Sequence, residues 1–149
     1  MSRMRGVDHF TELWRRRTTL QLPDGGRCEL MSLSDLVHAK KTQRDKYWPM
    51  LRQLVEASFF ENRQRPTKAR IEFWLTELRT PQLLAELARK NLALAGKLAG
   101  KRPLLRLALK GKLAKLEAAM DAEESAERET DRRYWHPLKK ELEFLRHRR

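Results

Sequence analysis

The sequence has one cysteine, few glycines and prolines, and no long apolar run. Cys28 alone cannot form an internal disulfide, so a reducing compartment is expected and the cytoplasm is the predicted location. Six glycines and six prolines in 149 residues are few turn-forming residues for a β-sandwich or barrel, which needs many tight turns. No run approaches the roughly 18 apolar residues of a membrane span, and residues 1–10 lack the apolar core of a signal peptide. A membrane partner is therefore not expected.

Motifs that gather catalytic groups or metal ligands are also lacking. The four histidines, at positions 9, 38, 136 and 147, show no i,i+4 pairing, and one cysteine gives no zinc-binding spacing. No glycine-rich loop of the GxxxxGK or GxGxxG form occurs. Cys28 lies in a predicted strand without a basic or helix-terminal setting, which is typical of a structural thiol. The sequence predicts no catalytic residue, no metal site and no cofactor bound by this chain alone.

The chain instead has a large excess of positive charge. The formal net charge is +13, the sequence pI is about 10.5, and 36% of the residues are charged. Such an excess favours polyanionic partners such as RNA, DNA, nucleotides or an acidic membrane surface. The alternative is a set of solvated helix faces without a polyanionic partner.

The patterning predicts a mainly α-helical protein with a small N-terminal β-hairpin, an α+β arrangement with a bundle-like C-terminal region. Asp24-Gly25 separates two alternating segments, 18–22 and 27–31, which is a strong hairpin signal. Leucine and alanine dominate the rest of the chain, and both favour helix. We expect residues 1–60 to form a hairpin–helix unit and residues 61–149 a helical region packed with it as one domain.

Helix starts are predicted from capping residues. The predicted starts are Ser32 with Asp35 as a capping box, Asp45, Thr67, and Thr80 followed by Pro81 at the first helical position. Towards the C-terminus, residues 112–135 form one long predicted helix. His136-Pro137 is expected to end it, because the residue before a proline avoids the α region.

The stretch DLVHAKKTQRDKYWPM, residues 35–50, places many charges between two predicted helices. A plain loop would use glycine, serine or asparagine there. Lys40, Lys41 and Arg44 are candidate phosphate- or nucleotide-binding residues, with Asp45 orienting the arginine. The alternative is that Arg44 and Asp45 only tie the two helices together. The residue chemistry leaves both interpretations open.

A second candidate site is a basic run in the C-terminal half. Nine basic residues and no acidic one lie between Glu86 and Glu117. Such a run can follow a nucleic-acid backbone, with each neutralised phosphate adding salt-dependent affinity. The alternative is a solvated face neutralised by the acidic block 121–131, which has six acidic residues and one arginine. The candidate nucleic-acid contacts are Lys97, Lys101, Arg102 and Arg106.

The aromatic residues have two interpretations as well. Trp14, Trp48, Trp74 and Trp135 could stack on nucleobases. Tryptophans at helical spacing more often belong to the core, and a core position is the expectation for these four.

The first 55 residues carry short motifs that resemble a known family. They are GVDHFTELW at 6–14, LPDG at 22–25, and MSLSDL at 31–36 followed by Lys40 and Arg44. This pattern resembles the downstream part of small nucleotidyltransferase-fold proteins, which include components of toxin–antitoxin and abortive-infection systems. The family's Gly-Ser turn and its strand with paired carboxylates, which bind two metal ions, are missing here. Tyr47 stands where the family's R-x-x-D motif ends in aspartate.

The resemblance implies that the hairpin normally extends a catalytic sheet. The chain would then be a truncated, degenerate or split nucleotidyltransferase-like protein, inactive alone, with Mg²⁺ involved only if a catalytic half lies upstream. Lys40 and Arg44 would lie near the nucleotide pocket or would stabilise the helical cap. The main alternative is a small basic helical nucleic-acid-binding module. A third interpretation is a helical partner of an acidic protein, contacting it through Leu138, Leu142 and Leu145.

Overall fold

The computed structural model describes residues 5–147 and confirms a mainly α-helical fold with a small N-terminal β-hairpin. Within these residues the helices and strands are α1 (Phe10–Arg15), β1 (Thr18–Gln21), β2 (Arg27–Leu30), α2 (Leu33–Lys40), α3 (Tyr47–Asn62), α4 (Lys68–Glu77), α5 (Pro81–Lys90), α6 (Leu92–Leu98), α7 (Leu105–Leu109) and α8 (Leu113–His147).

The hairpin forms at the predicted Asp24-Gly25 turn. β1 and β2 are antiparallel, from Thr18 opposite Leu30 to Gln21 opposite Arg27. Gly25 has φ +84°, a conformation that favours glycine, and Asp24 Oδ1 accepts a hydrogen bond from Gly26 N at 2.9 Å. In the described part of the chain the sheet has only these two strands, so both outer edges are unpaired.

Three of the four predicted helix starts are confirmed, two of them with a side-chain cap; Thr80 is the N-cap residue of α5 but makes no side-chain cap. Ser32 and Thr67 each accept a hydrogen bond from the backbone N–H three residues later, and Pro81 is the first residue of α5. Asp45 does not cap α3: the N-cap residue is Lys46, which makes no side-chain cap. The Asp45 carboxylate instead forms an ion pair with Arg128 of α8, a partner that sequence spacing does not reveal.

The core surrounds α5, which packs against α4, α6, α7 and α8. Trp74, Leu84 and Leu105 are fully buried. Burial of such a side chain stabilises the fold by about 1.5–3 kcal/mol. Val37 and Leu51 belong to the same cluster, so residues on both sides of position 60 share one core.

The tryptophans divide between core and surface. Trp48 and Trp74 are buried as predicted, with 3% and 0% of their surface exposed. The core prediction is wrong for Trp14, which is 46% exposed, and Trp135 is only half-buried. Trp135 is nevertheless held in place by contacts described below.

Helix α8 runs without interruption from Leu113 to His147, with Pro137 inside it, so the predicted break is wrong. A proline removes one helical hydrogen bond and crowds the preceding turn, at a cost of about 3 kcal/mol. Before the proline, Trp135 donates a hydrogen bond to the buried Asp131. After it, Leu138 and Leu142 line an open cavity and remain 44% and 50% exposed. None of the helices in residues 5–147 has an apolar stretch that could cross a membrane.

Candidate phosphate-binding sites

Residues 40–47, which we call the α2–α3 joint, are held against α8 by one buried carboxylate. Asp131 is 1% exposed. Its Oδ1 accepts hydrogen bonds from Arg5 Nε at 2.8 Å and Trp135 Nε1 at 3.1 Å, and its Oδ2 accepts one from Gln43 N at 2.9 Å. Arg5 also donates to the Lys41 carbonyl at 2.7 Å. Asp131 thus fixes the joint and the Trp135 ring together.

A second tie involves Asp45, and it corrects a prediction. Asp45 was expected to orient Arg44, but its carboxylate lies 2.6 Å from the Arg128 guanidinium. Arg128 in turn lies over the Trp48 ring, 5.6 Å from its centroid. Trp48 Nε1 donates to the Thr42 carbonyl at 2.9 Å. The joint is therefore tied to α8 at this point as well, and the ion-pair partner of Asp45 is Arg128, not Arg44.

Lys41 is also occupied by a structural partner. Its ammonium lies 2.9 Å from Oε1 and 2.7 Å from Oε2 of Glu77, which is 4% exposed. His38 Nε2 donates to Oε1 at 3.2 Å. Burial by itself raises the pKa of Glu77, but the His38 hydrogen bond and the Lys41 charge outweigh it and hold the pKa below its ordinary value. The prediction of Lys41 as a free phosphate-binding cation is corrected: it neutralises Glu77.

This arrangement predicts acid sensitivity. A carboxyl whose pKa is lowered by folding stabilises the protein above its unfolded value, and the stabilisation is lost as pH falls through the folded value. For Glu77 we therefore expect the free energy of unfolding to fall as pH drops below about 4.5. Glu77→Gln should reduce this pH dependence and cost about 2 kcal/mol at neutral pH.

Urea denaturation at several pH values would measure this effect. The matched control is Glu72→Gln, an exposed glutamate on the same helix. Equal pH profiles for Glu77→Gln and the unmodified protein would contradict the assignment.

Lys40 and Arg44 remain without a carboxylate partner among residues 5–147. The Lys40 ammonium lies 4.7 Å from the Tyr47 ring centroid, and Arg44 Nη1 lies 3.5 Å from Tyr47 Oη. The Arg44 hydrogen bond, followed by the charges of Lys40 and Lys46, lowers the pKa of the Tyr47 hydroxyl. The lowered pKa of Tyr47 indicates a positive electrostatic potential at the joint.

An open cavity of about 390 Å³ lies between the joint and α8. This volume lies within the range of small-molecule pockets. Lys40, Arg44 and Tyr47 line one side, and Trp135, Leu138 and Lys139 line the other. Lys139 was missed as a candidate because it lies far along the chain from the joint, and Trp135 was considered for base stacking but was expected in the core. Only the packing of α8 places an indole and a further ammonium there.

The nine basic residues of the run divide into three with partners in the protein and six exposed cations. Lys90 pairs with Glu86, and Arg89 donates to the Ala85 carbonyl. The third is Arg102. The guanidinium of Arg102, 5% exposed, donates to both Glu123 oxygens at 3.0 and 2.9 Å and to the carbonyls of Leu75 and Leu78 at 2.9 and 3.0 Å. The prediction that Arg102 contacts nucleic acid is therefore wrong. The other predicted contacts are exposed and have no carboxylate partner among the described residues: Lys97, Lys101 and Arg106, together with Lys110, Lys112 and Lys115.

The acidic block 121–131 pairs mostly outside the basic run. Glu123 binds Arg102 and Arg79, Glu124 binds Arg128, and the pair of neighbouring arginines at 132 and 133 binds Glu129. Asp131 pairs with Arg5. Of the nine basic residues, the block contacts Arg102 alone, so neutralisation of the run by this block is not found.

Comparison with protein-family models, with curated proteins and with solved structures gives no match for this chain. Within residues 5–147, no group of three or more His, Cys, Asp or Glu side chains is arranged to hold a metal ion. The described residues therefore do not fit the metal pair implied by the nucleotidyltransferase resemblance.

Proposed function

We propose that this chain is a nucleotidyltransferase-like protein without catalytic carboxylates of its own, which binds a nucleotide at the α2–α3 joint. One observation carries the proposal: Lys40 and Arg44, unpaired with any described carboxylate, line a cavity together with aromatic rings. Cations of this kind bind phosphate through charge-assisted hydrogen bonds. An aromatic side chain provides a surface for a nucleobase.

The site is partly ordered before any ligand binds. The hydrogen bond from Trp135 to Asp131 fixes the indole, and the bond from Gln43 N to the same carboxylate fixes the joint. Lys139 Nζ lies 3.4 Å from Gln43 Oε1 and adds a further positive charge beside the cavity. Preorganised groups lose little entropy on binding, which favours affinity for a small ligand.

The hairpin supports the same proposal. Both outer edges of β1 and β2 are unpaired within the described chain, and an open edge can accept a further strand. In the proposed arrangement a catalytic half, on a preceding segment or a separate chain, adds its sheet there. That half would supply the carboxylates for Mg²⁺, and this chain would contribute nucleotide binding. We assign no transfer step to residues of this chain.

If the joint binds a nucleotide, removing the charges of Lys40 and Arg44 should clearly weaken that binding. Isothermal titration calorimetry with ATP and with CTP should detect binding to the unmodified protein. The double variant Lys40→Ala, Arg44→Ala should bind at least about ten-fold more weakly, because each charge-assisted hydrogen bond contributes about 1.5–3 kcal/mol.

The control is Arg52→Ala, an exposed arginine on α3 that does not line the cavity. Its affinity for nucleotide should be unchanged. Absent binding, or equal losses in the double variant and the control, would contradict nucleotide recognition at the joint. Transfer of a labelled nucleotide by this chain alone, with Mg²⁺ added, would contradict the non-catalytic part.

A further inference from the structure

Six exposed basic residues between α6 and the start of α8 form what we call the basic segment. They are Lys97, Lys101, Arg106, Lys110, Lys112 and Lys115. We propose that the basic segment binds the phosphodiester backbone of a nucleic-acid duplex, independently of base sequence. This goes beyond nucleotide binding at the joint, since it uses different residues on different helices.

The fold brings together the three helices around which these residues lie. α7 packs against both α6 and α8. At the end of α7, the bond from Lys110 N to the Arg106 carbonyl places those two side chains on the same face of the chain. Gly111, with φ +64°, then turns the chain, and Lys112 N bonds back to the Leu107 carbonyl. The start of α8 is thereby held beside α7.

The charge of the segment is not neutralised by the described protein. No acidic residue lies between Glu86 and Glu117. Of the carboxylates that follow, those in ion pairs bind Arg5, Arg79, Arg102 or arginines of α8. A cluster of like charges repels itself, and a polyanion relieves that repulsion while releasing its own counterions.

The chemistry around the segment favours a duplex backbone over other polyanions. No aromatic residue occurs between Trp74 and Tyr134, so the segment has no ring on which single-stranded bases can stack. Among the described residues from Lys97 to Lys115, Leu113 is the one large apolar side chain that is exposed, at 40%, and a single leucine offers little apolar surface for insertion into a lipid layer. What remains is contact with phosphates, which positions a protein on nucleic acid without reading its sequence.

The first test measures binding to fluorescently labelled random-sequence RNA and DNA duplexes. Fluorescence anisotropy gives the affinity at a series of increasing salt concentrations. If all six cations neutralise phosphates, the slope of log affinity against log salt is about −5. Affinity should then fall about 10³-fold between about 50 and about 200 mM salt. Two unrelated duplex sequences should bind alike. A salt-independent affinity, or no binding at low salt, would overturn the proposal.

The second test uses charge reversal with a matched control. The triple variant Lys97→Glu, Lys101→Glu, Arg106→Glu should weaken duplex binding by at least about 10²-fold and flatten the salt slope by about three. The control is Arg52→Glu, Lys140→Glu, Arg146→Glu, which changes net charge equally at exposed positions. Lys140 lies about 37 Å along α8 from Lys115. Equal losses in both variants would show a general charge effect and overturn the surface assignment.

Two further measurements distinguish duplex binding by the basic segment from nucleotide binding at the joint and from binding to a lipid surface. The double variant Lys40→Ala, Arg44→Ala should keep full duplex affinity, so that failure of the joint proposal leaves this one standing. Vesicles of anionic phospholipid should bind more weakly than duplex at equal salt. Tighter vesicle binding that is lost in the Lys97, Lys101, Arg106 variant would identify a lipid surface instead and overturn the proposal. Unchanged circular dichroism would confirm that both triple variants remain folded.

Discussion

Arg102→Met is expected to lower the free energy of unfolding by about 3 kcal/mol. The guanidinium of Arg102 is 5% exposed and connects three parts of the chain: its own loop after α6, the end of α4 and helix α8. Methionine fills much of the same volume but donates no hydrogen bond. The variant leaves the carbonyls of Leu75 and Leu78 without their donor, and Glu123 with only its 3.4 Å contact to Arg79. Glu123 is 27% exposed, which keeps the expected cost at the lower end for a broken buried pair.

Urea denaturation and thermal unfolding would measure this loss. For a chain of this size, about 3 kcal/mol corresponds to a fall in Tm of roughly 6–12 °C. Arg106→Met, the same chemical change at an exposed position four residues later, should stay within about 0.5 kcal/mol of the unmodified protein. Similar stabilities for the two variants would contradict the structural role of Arg102.

Asp131→Asn is expected to cost about 2–3 kcal/mol, with the loss concentrated where α8 meets the joint. The carboxylate accepts hydrogen bonds on both oxygens, from Arg5, Gln43 N and Trp135. An asparagine keeps the shape but replaces one acceptor by an amide NH₂, which then faces a donor. It also leaves the Arg5 guanidinium, 20% exposed, without its counter-charge.

Hydrogen exchange would locate the effect, and denaturation would give its size. We expect faster exchange at residues 41–46 and weaker nucleotide binding at the joint, since Trp135 loses its anchor. Asp121→Asn makes the same chemical change at an exposed position of the same helix, and should leave exchange at the joint unchanged. Slow exchange at the joint in Asp131→Asn would show that this carboxylate does not hold it.

Local features of the fold were predictable because their causes are local. The Asp24-Gly25 turn needs only a glycine with positive φ between two alternating segments. Ser32 and Thr67 cap their helices through hydrogen bonds to backbone three residues away. Sequence spacing contains all the information that such contacts require.

Two predictions from local chemistry failed. Asp45 has the chemistry of an N-cap, yet its carboxylate pairs with Arg128 of α8, a residue far along the chain. Pro137 has the chemistry of a helix end, yet α8 continues through it from Leu113 to His147. Local preferences of this kind amount to a few kcal/mol or less, so they do not decide the structure by themselves.

The sequence by itself determined the helical fold class, the hairpin and the net charge of +13. It did not distinguish Lys101 from Arg102, two adjacent cations of which the first is exposed and the second is buried. The same holds at the joint, where Lys40 faces a cavity while Lys41 neutralises a buried glutamate. Charge is a property of each residue, whereas its availability to a ligand depends on burial and on carboxylates brought close by folding. Only the tertiary structure sets those two quantities.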